Sequence, residues 1–234
     1  MRVYRGRADT IADDRAVSGR VVERVTASRE PAVRVWQPHR QVAFGRRDAG
    51  ADGYDRARES ARERGFPPVE RDVGGRAVAY TGSTVAFARV LPIDDPRSGL
   101  GDRYDAAIAA LLDALAELAV DATEGEPPDA FCPGTHSLQA TAGGRARKLA
   151  GLAQRVHDDA AVVAGVVLVA DHGAVAEVLE PVYDALGVVF DPGTVGSVAL
   201  AGGSDDPAVV AAAIEDALVG DREATVETVE PNAA

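Results

Sequence analysis

Residues 131–155, FCPGTHSLQATAGGRARKLAGLAQR, decide how this chain is read. Gly143-Gly144 sits near the middle of the stretch. Paired glycines take the positive φ that a two-residue hairpin turn demands. The flanks therefore read as one antiparallel hairpin over residues 137–156. Cys132 and Lys148 lie 16 positions apart on either side of that turn, so the hairpin brings them toward one another. Both are singletons: the chain has 1 cysteine, and 24 of its 25 basic residues are arginine. A nearby ammonium lowers a thiol's pKa, and the thiolate is the nucleophile. Lysine is also a compact point charge for a carbonyl or phosphate oxygen, which a planar guanidinium does not replace. Pro133-Gly134 places the thiol in a loop, where an inert core cysteine is not expected. His136, four residues further on, is a candidate to help ionise the thiol, or a loop histidine bonded locally.

Outward from the hairpin, residues 160–170 form a Val-rich run of the kind found in a strand covered on both faces. Asp171 is placed to cap a helix to about residue 186, and Asp205 another, with Pro207 in its first turn, to about 219. Upstream, residues 102–120 (DRYDAAIAALLDALAELAV) carry an apolar face at helical spacing, as do residues 10–28. Residues 33–44 read as two strands around a turn at Pro38, and 55–65 as a short polar helix closed by Gly65. Residues 69–91 are strand-like around the insert DVGGRAVAYTGST, whose Gly74-Gly75 pair is either a β-bulge or a point of close backbone approach. The mixture predicts one α/β domain over residues 1–220, a mixed sheet flanked by helices, with 221–234 as a flexible acidic tail.

With 37 acidic against 25 basic residues the net charge is −12 and the pI about 4.8, which argues against binding nucleic acid. Arginine-for-lysine usage on an acidic chain fits a protein adapted to high salt. The sequence predicts no membrane span, no secretory leader and no internal disulfide, so the expected compartment is the cytoplasm. His39, His136, His157 and His172 fall at no metal-ligand spacing, and no zinc site is expected. A dinucleotide fingerprint is missing, and Leu149 stands where a Walker lysine would be followed by Ser or Thr. Arg145 and Arg147 either meet a donor phosphate or solvate the hairpin.

The order of segments then carries a resemblance. The run R-x-x-G-G-x-A-V (Arg71, Gly74, Gly75, Ala77, Val78), a long helix, and K-x-x-G-x-A-Q-R (Lys148, Gly151, Ala153, Gln154, Arg155) resemble the lipoate–protein ligase and octanoyltransferase family over residues 8–203. The resemblance implies a biotin/lipoate-ligase-like catalytic domain, Lys148 on the acyl carbonyl, and Gly74 and Gly75 walling an acyl tunnel. Arg71, Ala77, His136, Gly151 and Ala153 would complete the substrate site. The C-P-G run at Cys132 is similar to the lipoyl-relay amidotransferase branch. That implies Cys132 as nucleophile, a thioester intermediate, and transfer of an octanoyl or lipoyl group to a lipoyl-domain lysine. Partners would be lipoyl-domain proteins such as the glycine-cleavage H protein and 2-oxoacid dehydrogenase acyltransferase subunits. No tightly bound cofactor is expected; ATP and Mg enter only if the protein is instead an ATP-dependent ligase. Ala79, Tyr80 and Thr81 replace the Tyr-His-Asp that follows the glycines in ligases, which weakens that alternative. A non-catalytic subunit of a split ligase is the third reading.

Overall fold

A computed structural model describes residues 1–71 and 75–229. Eleven strands are present among these: β1 (Arg2–Arg5), β2 (Ala32–Trp36), β3 (Gln41–Phe44), β4 (Pro68–Glu70), β5 (Val78–Tyr80), β6 (Thr84–Pro92), β7 (Ala122–Glu124), β8 (Ser137–Ala142), β9 (Arg145–Val156), β10 (Ala160–Leu168) and β11 (Thr225–Thr228). The helices are α1 (Ile11–Ser28), α2 (Arg46–Ala49), α3 (Tyr54–Glu63), α4 (Leu100–Glu117), α5 (His172–Ala185) and α6 (Pro207–Val219).

Eight strands form one mixed sheet in the order β11-β1-β2-β6-β10-β9-β8-β7, and β4-β3-β5 form a smaller one. The expected hairpin is the β8–β9 pair; Gly143 (φ 61°) and Gly144 (φ 78°) both take the positive φ its turn requires. The strands around Pro38 separate: β2 joins the large sheet against β6, and β3 the small one between β4 and β5. Proline has no N–H for a ladder, and the chain changes sheets at that point.

Side chains alternate across the large sheet. Val85 and Phe87 of β6 face α4 and α6 and pack with Ile108, Leu111, Leu115 and Ile214. Ala86, Ala88 and Val90 face the other way. There α1 lies across one end of the sheet, burying Val17, Val21 and Val25, while the small sheet with α3 and α5 closes the opposite side around Phe44, Val78, Leu179 and Tyr183. Burying a Val or Leu side chain is worth roughly 1.5–3 kcal/mol, so the apolar stripes read from the sequence fix both helix layers.

Three local expectations are corrected. Asp206, not Asp205, caps α6, its side chain accepting from the amide of Ala208 at 2.8 Å with Pro207 at the first position. Asp171 precedes α5 but does not cap it through its side chain; it sits at φ 55° and accepts from Ser83 Oγ at 3.0 Å. Residues 225–228 are not loose. They form β11, parallel to β1, because β1 is otherwise an edge whose amides and carbonyls need partners. Arg2 adds ion pairs to Glu227 and Glu30 across this edge. Among the described residues, no helix is long and apolar enough to cross a membrane.

Candidate active site

Between α1, the small sheet and the exposed face of the large sheet lies a cavity of about 1070 Å³. Its floor is made of small side chains from neighbouring strands: Ala86 and Ala88 of β6, Gly151 and Ala153 of β9, Ala164 of β10. Small residues on three adjacent strands leave room above the sheet for an extended apolar ligand. Several buried polar atoms without a hydrogen-bond partner belong to residues lining this space: Arg34 Nε, Gln41 Oε1, Arg71 Nε and His136 Nδ1. Unpaired polar atoms on the lining are available to the polar part of a ligand.

Cys132 is at one end. It does not belong to the hairpin; it lies in the loop between β7 and β8, at φ 42°, a left-handed conformation that costs a non-glycine residue energy. Tyr183 of α5 holds it there, accepting from the Cys132 amide at 2.6 Å and donating to the Ala77 carbonyl at 2.9 Å. Burial pushes the Tyr183 phenol well above its ordinary pKa, so the hydroxyl stays a donor.

The thiol faces the Arg71 guanidinium, whose Nη2 is 3.2 Å from Sγ and also donates to the Arg76 carbonyl at 2.6 Å. Burial alone would push the thiol up. Arg71, the backbone amides of Arg76 and Gly75, and the Lys148 ammonium outweigh it, and the thiol titrates below its ordinary value. The Gly75–Arg76 amides are held from behind by α2. Asp48 is fully buried, bonds the Gly45 amide at 2.9 Å and pairs with Arg76 at 3.3 Å. Gly45 approaches the Gly75 carbonyl so closely that a Cβ would lie 2.3 Å from it.

Lys148 is 1% exposed on β9 and reaches under the Cys132 loop. Its ammonium donates to the carbonyls of Phe131 and Cys132 at 2.9 Å and to both oxygens of Glu126 at 3.0 Å. The expected meeting of the two singletons therefore occurs, through the cysteine's backbone. The positive side chain in direct contact with the sulfur is Arg71.

The other expected site residues divide. Arg71, Gly75, His136, Gly151 and Ala153 line the cavity. Ala77 is fully buried behind the wall, where its carbonyl serves Tyr183. Gly74 lies outside the described residues. His136 stacks on Tyr104 with ring centroids 3.6 Å apart and turns Nδ1 toward Glu124 at 3.9 Å; ionising the thiol falls to Arg71 and the amides. His39 bonds the Ala8 carbonyl at 2.8 Å. Arg145 pairs with Asp191, and Arg147 bonds the carbonyls of Ala142 and Val195, so both have partners within the fold. Among the described residues no three His, Cys, Asp or Glu side chains converge as metal ligands. Sequence reading missed Glu126, Tyr183 and Gly45. Only Glu126, an acid beside two prolines in a break between elements, carried any local signal.

The lipoyl protein ligase A/B catalytic domain family matches residues 11–185, and the chain belongs to that family. An octanoyl-[GcvH]:protein N-octanoyltransferase of Exiguobacterium sibiricum is 30% identical over 131 residues, 55% of this chain and 45% of the relative. A protein of the same description from Geobacillus kaustophilus is 28% identical over 126 residues, 54% of this chain and 43% of the relative. The chain thus spans about half the length of the curated relatives it matches. Lipoate-protein ligase A bound with ATP has the same fold, with a TM-score of 0.69 at 18% identity over 97% of this chain and 89% of that one. So does a bi-partite lipoate protein ligase from Thermoplasma acidophilum, with a TM-score of 0.68 at 17% identity over 98% and 87%.

Proposed function

We propose that this protein is a cysteine-dependent acyltransferase that moves an octanoyl or lipoyl group from a carrier protein to a lipoyl-domain lysine. The observation that carries this reading is the environment of Cys132: a partly exposed thiol at the end of a small-residue cavity, facing Arg71 at 3.2 Å and two backbone amides. An ATP-dependent ligase has no need of a stabilised thiolate there. In the first half-reaction the Cys132 sulfur attacks the carbonyl carbon of the acylated donor lysine. A C–S bond forms, the C–N bond breaks, and the thiol proton leaves on the donor amine. In the second half, the acceptor lysine amine attacks the thioester, a C–N bond forms, the C–S bond breaks, and the amine's proton returns to the departing sulfur. Lys148 would donate to the acyl oxygen, and the gathered amides would stabilise the charge that develops there. The small-residue floor would hold the acyl chain and keep water from the thioester.

Relatives named for GcvH support a lipoyl-domain protein such as the glycine-cleavage H protein as donor; as acceptors we propose 2-oxoacid dehydrogenase acyltransferase subunits. No cofactor enters this chemistry. A free thiolate suits a reducing compartment, so we place the protein in the cytoplasm, and its −12 charge suits a salt-rich one. The test is intact mass after mixing with an octanoylated lipoyl-domain protein without ATP. One octanoyl group should appear on the wild type and none on Cys132→Ala. Full transfer by Cys132→Ala, or strict dependence on ATP and free acid, would establish the ligase reading instead.

A further inference from the structure

The Lys148 ammonium has three protons and four oxygen neighbours within 3.0 Å: the two Glu126 oxygens and the carbonyls of Phe131 and Cys132. The ammonium also lies over the Phe131 ring, 5.0 Å from its centroid. As it stands, no donor is left for an acyl oxygen. The four acceptors are not equivalent, however. The two carbonyls belong to the buried inner side of the loop carrying Cys132. Glu126 is a side chain at that loop's start, with 22% of its side-chain surface open to solvent. It also accepts a long bond, 3.4 Å, from the Gly134 amide beyond the cysteine. One carboxylate thus ties together both limbs of the nucleophile loop and the cation beneath it. It is also the neighbour that can swing away without moving the backbone of Cys132.

We infer that Glu126 is a positioning residue: it holds Lys148 in place under the Cys132 loop at rest, and gives up one Lys148 hydrogen bond to the acyl oxygen when Cys132 is acylated. The inference rests on the acyl-enzyme reading above. Its charge logic is consistent. Burial pushes the Lys148 ammonium below its ordinary pKa against the pull of Glu126 and of the Cys132 thiolate, with Arg71 adding to the fall. Without the Glu126 carboxylate the same burial acts against a weaker counter-charge. The exchange is one hydrogen bond for another, with no net proton transfer. An acyl oxygen on the thioester accepts what the carboxylate released.

The singletons make the test clean. Lysine labelled with ¹³C at Cε gives one resonance, from Lys148, and a small octanoyl thioester acylates one cysteine, confirmed by intact mass. In unacylated protein, Glu126→Gln should lower the Lys148 titration midpoint by about one pH unit or more. In the wild type at fixed pH, acylation of Cys132 should move the Lys148 resonance. The same acylation should move it much less in Glu126→Gln, where the carboxylate contact is already gone. An unchanged midpoint in Glu126→Gln would overturn the holding role. A Lys148 resonance unmoved by acylation of the wild type would overturn the exchange, and that arm needs no variant to fold. Should the small thioester load Cys132 while an octanoylated lipoyl-domain protein does not, the transferase reading fails and the Glu126–Lys148 result stands by itself.

Discussion

Replacing Arg71 by Met should make Cys132 an ordinary thiol. The guanidinium stands 3.2 Å from the sulfur and also pins the Arg76 carbonyl, next to an amide that serves the thiol. At that separation and an effective dielectric of about 20, the attraction between the two charges is about 5 kcal/mol, an upper figure for a site that water can enter. At about 1.4 kcal/mol per pH unit, this would move the thiol by nearly four units. Lys148 and the two amides remain, and water replaces part of the lost interaction, so about two units upward is expected. The direction follows from the sign of the charge: the cation favours the thiolate, and its loss favours the thiol. The assay is the rate of iodoacetamide alkylation against pH. It reports on Cys132 alone because the chain has no other cysteine. Arg71→Lys should fall between wild type and Arg71→Met, since a single ammonium cannot face the sulfur and hold the Arg76 carbonyl with a fork. A midpoint in Arg71→Met within half a unit of the wild type would refute the reasoning and leave the amides and Lys148 as sufficient.

Two further outcomes follow from the same geometry. Tyr183→Phe removes the hydroxyl that joins the Cys132 amide to the Ala77 carbonyl. Leaving those groups unpaired should cost about 2 kcal/mol in urea unfolding and slow alkylation of Cys132 as its φ of 42° relaxes. Arg34 is 1% exposed, with its guanidinium 2.5 Å from Asp14 and bonded to Ser18 Oγ at 2.8 Å, and it fixes α1 to β2 at the far side of the cavity. Arg34→Met should destabilise the fold by about 3–5 kcal/mol, because Asp14 would be left buried with Trp36 Nε1 as its remaining side-chain donor. Arg34→Met together with Asp14→Leu should recover much of that loss, measured by the same unfolding curves.

By itself the sequence determined the long elements and the identity of the two reactive singletons. The Gly143-Gly144 turn, the valine run that became β10 and the apolar stripes of α1 and α4 are local patterns, set by φ preference and by period 2 or 3.6. Lys148 among 24 arginines and a lone Cys132 needed only counting. What only the tertiary structure decided is which partner each of them meets. The hairpin puts Lys148 beneath a loop, but the sulfur is turned by Tyr183 from α5, 51 residues away, toward Arg71, 61 residues away. Such contacts depend on how two sheets and the helices packed on them close on one another, and no spacing along the chain encodes them. The tail shows the same limit: residues 225–228 look acidic and mixed, yet the open edge of β1 recruits them as a strand. Glu126 illustrates it most plainly. Nothing in its spacing from Lys148 pairs the two, and only the fold shows that the chain's one lysine lies buried under it.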